Sequence, residues 1–115
     1  MIQPGEFYLA DFPGAGRHPV IIVSRELFNR GNYALVVVCT SARFAIRRTL
    51  PNCVPFQAGQ FGLTKACVAQ CESIFPIEKT NLELETGPIG RLDDMTMRDV
   101  IKAIGYVIES DCERL

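Results

Sequence analysis

The chain has 115 residues, of which 48% are hydrophobic and 22% charged, and its formal net charge is −1. This composition is typical of one folded domain spanning residues 1–115, and the chain is too short for two hydrophobic cores. No apolar run approaches the roughly 20 residues of a membrane helix, and Met1–Glu6 lacks the basic and apolar regions of a signal peptide. A cytoplasmic protein without membrane association is therefore expected.

Short strands joined by glycine- and proline-rich turns are predicted over most of the chain, because β-branched runs alternate with turn residues. The expected elements are a strand over 6–12, a loop over 13–16, a strand over about 17–24, a helical turn over 25–30, a strand over 33–40, a basic connection or short hairpin arm over 41–48, an edge strand over 50–56, a turn over 57–62, a last strand over 66–75 and a brief helical turn over 79–84.

The C-terminal segment has the spacing of an amphipathic helix. Its apolar positions are Met97, Val100, Ile101, Ile104, Val107 and Ile108, and its polar face holds Arg98, Asp99, Lys102 and Glu109. Candidate caps precede it at Asp93, Asp94 and Thr96. About five strands followed by one helix predict a mainly β fold, a small twisted antiparallel barrel with a C-terminal helix packed across it.

The five cysteines are odd in number and lie mostly inside apolar segments, which favours reduced, buried thiols at Cys39, Cys53, Cys67, Cys71 and Cys112. Strand spacing would hold Cys67 and Cys71 beyond disulfide reach. With one histidine and no C-x-x-C pair, no metal site is expected.

Charge is unevenly divided along the chain. Residues 1–65 hold seven Lys/Arg and three Asp/Glu, a net of +4, whereas residues 66–115 hold five and ten, a net of −5. The basic half could present a face that attracts phosphate, with Arg43, Arg47 and Arg48 gripping an anionic backbone. The alternative is an uneven distribution of ordinary solvated charges.

The second and third strands end in groups that can bind or transfer protons. Because Pro19 cannot donate a ladder hydrogen bond, it belongs at a strand start. Antiparallel pairing of the two strands would gather Arg17, His18, Thr40 and Ser41 at one rim of the sheet. There His18 could act as an acid or base and the hydroxyls could bind phosphate oxygens. The alternatives are a structural or merely exposed histidine and ordinary turn-forming hydroxyls.

Alternation along residues 66–74 places Gln70 and Glu72 on one strand face together with Val68. The same alternation directs Cys67, Ala69, Cys71 and Ser73 to the core. An amide and a carboxylate side by side could orient and deprotonate a hydroxyl, or they could be an ordinary solvent-facing pair. No phosphate-binding loop, nucleophile elbow or zinc-protease motif is present, and a dispersed Ser-His-Asp triad stays possible.

The ordered segments resemble the MazF/PemK/Kid family of toxins. The segments that carry the resemblance are GEFYL (5–9), PVIIVS (19–24), FNR (28–30), VVVCTS (36–41), VAQCE (68–72), IEK (77–79) and IGRL (89–92), followed by the terminal helix. No single segment is specific, but their order covers nearly the whole chain.

This resemblance implies the toxin of a type II toxin–antitoxin pair, with an SH3-like β-barrel that forms a homodimer. It implies cleavage of single-stranded RNA without a metal or other cofactor. The 2′-hydroxyl attacks the neighbouring phosphate, which leaves a 2′,3′-cyclic phosphate and a 5′-hydroxyl. An antitoxin protein with an acidic disordered or helical segment is the implied partner.

Carried onto this sequence, the resemblance places Glu72 where some members have an acidic base and Thr40 at a position of phosphate contact. Arg17 and His18 fall at the place of the catalytic arginine. The expected RNA-binding residues are Ser41, Gln70, Arg43, Arg47 and Arg48.

Three departures from the family pattern concern this site. His18 stands directly before Pro19, where arginine is common, Gln70 replaces a second arginine of some members, and the 13–16 loop is short. We therefore expect His18 as the acid and Glu72 as the base. The alternative is a catalytically weak or inactive barrel that binds protein, either its antitoxin or, like CcdB, a target such as gyrase.

Overall fold

The computed structural model describes residues 1–108, in which six strands and two helices form the frame. The strands are β1 (Glu6–Phe12), β2 (Gly16–Ile22), β3 (Tyr33–Thr40), β4 (Cys53–Phe56), β5 (Cys67–Glu78) and β6 (Gly90–Arg91), and the helices are α1 (Phe44–Arg47) and α2 (Asp94–Val107). Short 3₁₀ turns cover Phe28–Arg30, Gln60–Gly62 and Lys79–Asn81. No helix within residues 1–108 is long and apolar enough to cross a membrane. The predicted positions of Glu109 and Cys112 lie outside the described residues.

The strands form one curled antiparallel sheet in the order β4-β5-β3-β2-β1-β6. This confirms the mainly β fold with a C-terminal helix. The apolar runs of β2 and β3 pair at the centre, with Val20 opposite Val38 and Ile22 opposite Val36. Both runs are buried on both faces, because one hydrophobic cluster packs under α2 around Ile21 and another covers the opposite face around Val20.

The sixth strand was missing from the sequence prediction, which ended the sheet at β5. Gly90–Arg91 pairs with Glu6–Phe7 at the edge beside β1. A strand of two residues is too short to show an alternation of apolar and polar side chains, so the sequence contains no pattern that predicts it. A Cβ atom at Gly90 would overlap the carbonyl group of Phe61, so glycine allows this strand to pass close to the Gln60–Gly62 turn.

The basic connection contains the short helix α1 rather than a hairpin arm. Arg43 enters it with φ of 54°, in the left-handed region. β4 then pairs only with β5, which confirms the predicted edge position of this proline-containing strand.

A register shift in the β3–β5 ladder changes which side chains share a face. Val37 is opposite Ile74, but Val38 is opposite Gln70, so β5 carries extra residues between these pairs. Cys67, Ala69 and Cys71 lie in the core as predicted, and the cysteines in the described range are free thiols. The placement of Ser73 in that core was wrong, because Ser73 is one of the extra residues of the shift and lines a cavity with Gln70.

The terminal helix begins as predicted, since Oδ1 of Asp93 accepts a hydrogen bond from the Thr96 backbone N–H at 2.7 Å. Its buried face is centred on Val100 and Ala103, with Met97 and Ile104 partly buried. The predicted apolar face was therefore too wide, because the remaining members are exposed: Ile101, Val107 and Ile108.

Candidate functional site

The start of β2 and the end of β3 meet at one rim of the sheet. The β2–β3 ladder ends at the pair Val20 and Val38, and beyond it His18 and Thr40 line the same cavity. Two cavities open at this rim, and His18 lines both. The polar cavity, of about 350 Å³, is lined by Arg17, His18, Ser41, Thr64, Lys65 and Cys67 among others. The aromatic cavity, of about 260 Å³, is lined by Phe12, His18, Thr40, Gln70, Ser73 and Phe75 among others.

His18 is half-buried between the two cavities, which together we name the His18 cleft. Its Nε2 lies 3.0 Å from the carbonyl oxygen of Ala15, and a carbonyl can only accept, so Nε2 carries the proton and donates. Nδ1 has no hydrogen-bond partner among the described residues. The ring also packs 5.8 Å from that of Phe12. These contacts orient the imidazole and leave Nδ1 as the nitrogen that can exchange a proton with a ligand.

Arg17 enters the polar cavity with its charge already paired. Its Nη2 forms an ion pair with the carboxylate of Glu83, and both side chains are partly exposed. The backbone of Arg17 lies opposite Asp11 in the β1–β2 ladder. Part of the positive charge expected at this rim is therefore neutralised within the chain.

The two hydroxyl residues at the end of β3 divide between the cavities. Thr40 lines the aromatic cavity, and its Oγ1 accepts the Ala42 backbone N–H at 3.2 Å, so it also caps the turn that follows. Ser41 is exposed and lines the polar cavity. Their hydroxyl hydrogens can each donate to an oxygen of a bound group.

Glu72 lies next to the His18 cleft rather than in it. Its Oε2 accepts from Nε2 of Gln70 at 3.4 Å, and its Oε1 accepts from Nδ2 of Asn52 at 2.7 Å. Gln70 in turn lines the aromatic cavity with His18. The structure thus links Glu72 to the cleft through Gln70. Sequence reasoning missed Asn52, whose position becomes meaningful only once β4 pairs with β5.

Arg43, Arg47 and Arg48 line neither cavity of the His18 cleft. They lie in and around α1, which packs on β4 and β5. Burial first, and then the charge of Glu72, raises the pKa of the Cys53 thiol, while Arg47 opposes that shift. The charges of Arg47 and Glu72 thus act on the same thiol, and the arginines of α1 extend the surface along β4 and β5.

Lys65 and Thr64 are cleft residues that the sequence reasoning did not identify. They precede β5 in a turn that has no hydrophobic periodicity, so only the packing of this turn shows that they line the cavity.

Two thiols lie at the base of the polar cavity. Burial holds the pKa of Cys39 well above its usual range, and a hydrogen bond with Cys39 lowers the pKa of Cys67. Within residues 1–108, no group of three or more His, Cys, Asp or Glu residues could hold a metal ion.

The cleft can therefore bind and polarise an oxyanion. An imidazole with a free nitrogen, hydroxyl donors and two cations surround it, and a carboxylate lies one hydrogen bond away. Such a set offers donors to phosphate oxygens and both an acceptor and a donor of protons.

Both the sequence and the fold of the chain match known proteins. Residues 3–108 match the family of PemK-like, MazF-like toxins of type II toxin–antitoxin systems. No curated protein matches the chain. Among solved structures, a mycobacterial endoribonuclease in complex with its cognate antitoxin is similar, with a TM-score of 0.76, 25% identity and coverage of 95% of this chain and 96% of that one.

Two further solved structures share the fold. The Mycobacterium tuberculosis toxin MazF-mt6 has a TM-score of 0.75 at 23% identity, over 90% of this chain and 96% of that one. A chain of a MazE–MazF crystal structure from Deinococcus radiodurans has a TM-score of 0.72 at 15% identity, over 93% of this chain and 94% of that one.

Proposed function

Because the chain belongs to the family of PemK-like, MazF-like toxins of type II toxin–antitoxin systems, we propose that it is an endoribonuclease that cleaves single-stranded RNA. One observation carries this proposal: His18 lies between two cavities that also hold Arg17, Ser41, Thr40 and Gln70. The similar mycobacterial structure is of an endoribonuclease, which supports the same activity here.

The proposed reaction is an attack of the ribose 2′-hydroxyl on the adjacent phosphate, without a metal ion. The proton of the 2′-hydroxyl passes to the Glu72 carboxylate, and the O2′–P bond forms as the P–O5′ bond breaks. The departing O5′ takes a proton from Nδ1 of His18, which enters this step as the doubly protonated imidazolium and leaves it as the neutral imidazole, with the Nε2–H still donated to the Ala15 carbonyl. The products are a 2′,3′-cyclic phosphate and a 5′-hydroxyl.

The remaining cleft residues bind the substrate in this proposal. Donors that face the phosphorane stabilise its developing charge, and Arg17 and Thr40 have that role. Ser41 and Gln70 contact the RNA inside the cleft, while Arg43, Arg47 and Arg48 attract the backbone that extends past Glu72. The carboxylate of Glu72 reaches the 2′-hydroxyl of a nucleotide bound along β5.

The proposed partners are an antitoxin protein and a second copy of the chain. Similar solved structures contain a toxin with its antitoxin. An acidic antitoxin segment lying across Arg17, Lys65 and the α1 arginines would block access of RNA to the cleft.

A binding function is the second candidate, and the position of Glu72 favours it. Glu72 lies outside both cavities and is held by Asn52, while Arg17 is paired with Glu83. A barrel whose charged groups are already paired could act by binding a protein, either its antitoxin or, like CcdB, a target such as gyrase, without cleaving RNA.

The test is incubation of the purified protein with mixed single-stranded RNA in EDTA, from about pH 5.5 to about pH 8, since the proposed step needs both an acid and a base. Discrete fragments with cyclic phosphate ends are expected. His18→Ala and Glu72→Gln should abolish them, whereas Glu85→Gln, an exposed carboxylate outside both cavities, should not. RNA that stays intact, with a wild-type protein that still arrests growth, would refute the nuclease and favour the binding function.

A further inference from the structure

Two cationic side chains, Arg17 and Lys65, line the polar cavity among the described residues, and only one of them is paired with a carboxylate. Arg17 is paired with Glu83, whereas Lys65 is exposed and forms no ion pair within residues 1–108. The ammonium group of Lys65 is therefore the uncompensated positive charge of this cavity.

Hydroxyl groups accompany Lys65 on the walls of the same cavity. Thr64 precedes it in the chain, and Ser41 approaches from the end of β3. A lysine ammonium is a point charge suited to phosphate, and hydroxyls complete the donor set around phosphate oxygens. The volume of about 350 Å³ is at the small end of ligand pockets, which is the right scale for one phosphate with part of its sugar.

The turn that leads to Lys65 is held firmly. The Leu63 backbone N–H donates to the Gln60 carbonyl at 2.8 Å, the Gly59 N–H donates to the Leu63 carbonyl at 2.7 Å, and the Leu63 side chain is buried. Phe61 stacks on Phe7 of the core with ring centroids 6.1 Å apart. The backbone on the N-terminal side of Lys65 is thus preorganised, which lowers the cost of ordering this wall around a ligand.

We propose that Lys65, with Ser41 and Thr64, forms a binding subsite for a backbone phosphate that flanks the cleaved bond of the RNA. This inference rests on the proposed nuclease function. His18 separates the subsite from the aromatic cavity, so the flanking phosphate sits on one side of the imidazole while the reacting nucleotide extends toward Gln70 and Glu72 on the other. Lys65 supplies part of the positive charge that the Arg17–Glu83 pair removes.

The experiment measures equilibrium binding of a 2′-O-methyl single-stranded RNA, which cannot undergo the attack, at several salt concentrations. Lys65→Ala should weaken binding by about tenfold, as for the loss of a hydrogen bond to a charged group. It should also reduce the slope of log K against log salt by about 0.7, the value for one lost phosphate contact in a single strand. Lys65→Arg should retain most of the affinity, and Lys102→Ala, an exposed lysine on α2, is the matched control.

Cleavage kinetics provide a second readout. Because the subsite binds outside the reacting bond, Lys65→Ala should raise KM by about the same factor as the binding constant and leave kcat within about twofold. Thr64→Val should weaken binding in the same direction and by a smaller factor.

The outcomes separate this inference from the function on which it rests. If the wild-type protein binds and cleaves RNA but Lys65→Ala changes neither affinity nor salt slope beyond Lys102→Ala, the subsite is refuted and the nuclease stands. If Lys65→Ala lowers kcat alone, the assignment to a flanking phosphate is wrong. If the wild-type protein neither binds nor cleaves RNA, the proposed function and the subsite fail together.

Discussion

Nδ2 of Asn52 donates to Oε1 of Glu72 across 2.7 Å, and this hydrogen bond ties the residue before β4 to the irregular part of β5. A second bond reinforces the connection, since the Cys71 backbone N–H donates to the Asn52 carbonyl at 3.0 Å. The Glu72 carboxylate, assigned as the base, is therefore held by the residue that precedes the neighbouring edge strand β4. Its other oxygen accepts a hydrogen bond from Gln70.

Replacing Asn52 by Ala should impair catalysis through Glu72. The variant frees the carboxylate to rotate away from Gln70, and we expect the RNA cleavage rate to fall by about tenfold, or roughly 1.4 kcal/mol in the barrier. Single-turnover cleavage with saturating RNA measures this effect. The control is Asn81→Ala, which changes an exposed asparagine in the 3₁₀ turn after β5. An unchanged rate would mean that Glu72 needs no support from β4.

Replacing Glu83 by Gln should strengthen RNA binding. The substitution removes the charge that pairs with Arg17 and leaves the guanidinium free to face phosphate. Because exposed ion pairs are weak, we expect only about a threefold gain at low salt, and a smaller gain at high salt. Binding of the 2′-O-methyl RNA measures it, with Glu85→Gln as control for the general change in charge. Equal gains in both variants would contradict a specific release of Arg17.

Cys71 should make the fold sensitive to alkali. Burial first, and then the neighbouring Cys53 and Glu72, raises the pKa of this thiol from 9.0 to about 12. Between these values the folded state holds a proton that the unfolded state has lost, so the stabilisation is present below about pH 9 and is lost as the pH rises toward about 12. Urea midpoints measured from about pH 8 to about pH 11 should fall, and less steeply in Cys71→Ala. Parallel pH profiles for the two proteins would contradict this assignment.

Ile21 should contribute strongly to the free energy of unfolding, because its side chain is fully buried in the cluster under α2. Ile21→Ala leaves a cavity and should lower the free energy of unfolding by about 2–5 kcal/mol. Ile46→Ala, at a side chain that is 65% exposed, should change it by less than about 0.5 kcal/mol. Chemical denaturation compares the two, and similar losses would contradict the observed burial.

Gly90→Ala should disturb both stability and the cleft. The added Cβ meets the carbonyl group of Phe61, so β6 or the Gln60–Gly62 turn must shift, at a cost of about 1–3 kcal/mol. Because that turn leads to Lys65, RNA binding should weaken in parallel. At Gly31 an added Cβ meets no atom within 4 Å, so Gly31→Ala should be neutral in both assays. A stable Gly90→Ala protein would show that the close approach is not required.

Much of the central sheet could be read from residue patterns. The run that includes Val20 and Ile22 and the run that includes Val36 are apolar at every position, which indicated strands buried on both faces. Their antiparallel pairing is as expected, and His18 and Thr40, which follow the last pair, line one cavity. Asp93 likewise began the terminal helix where an N-cap was expected.

Other features had no local signal. The register shift after Gln70 moved Ser73 from the expected core to the aromatic cavity, and strict alternation cannot reveal where an extra residue enters a strand. Ala103 faces the core in place of Ile101, because the orientation of a helix depends on what it packs against as well as on its apolar positions.

By itself the sequence determined the mainly β fold with its closing helix, the buried pair of strands and the rim where His18 meets Thr40. These features depend on the hydrophobic periodicity and the composition of the sequence, which can be recognised from residues close together in the chain. Only the tertiary structure decided that Glu83 neutralises Arg17, that Asn52 holds Glu72 beside the cleft, and that Lys65 lines the polar cavity. Those contacts join residues far apart in sequence, and their partners are chosen by the curl and register of the sheet.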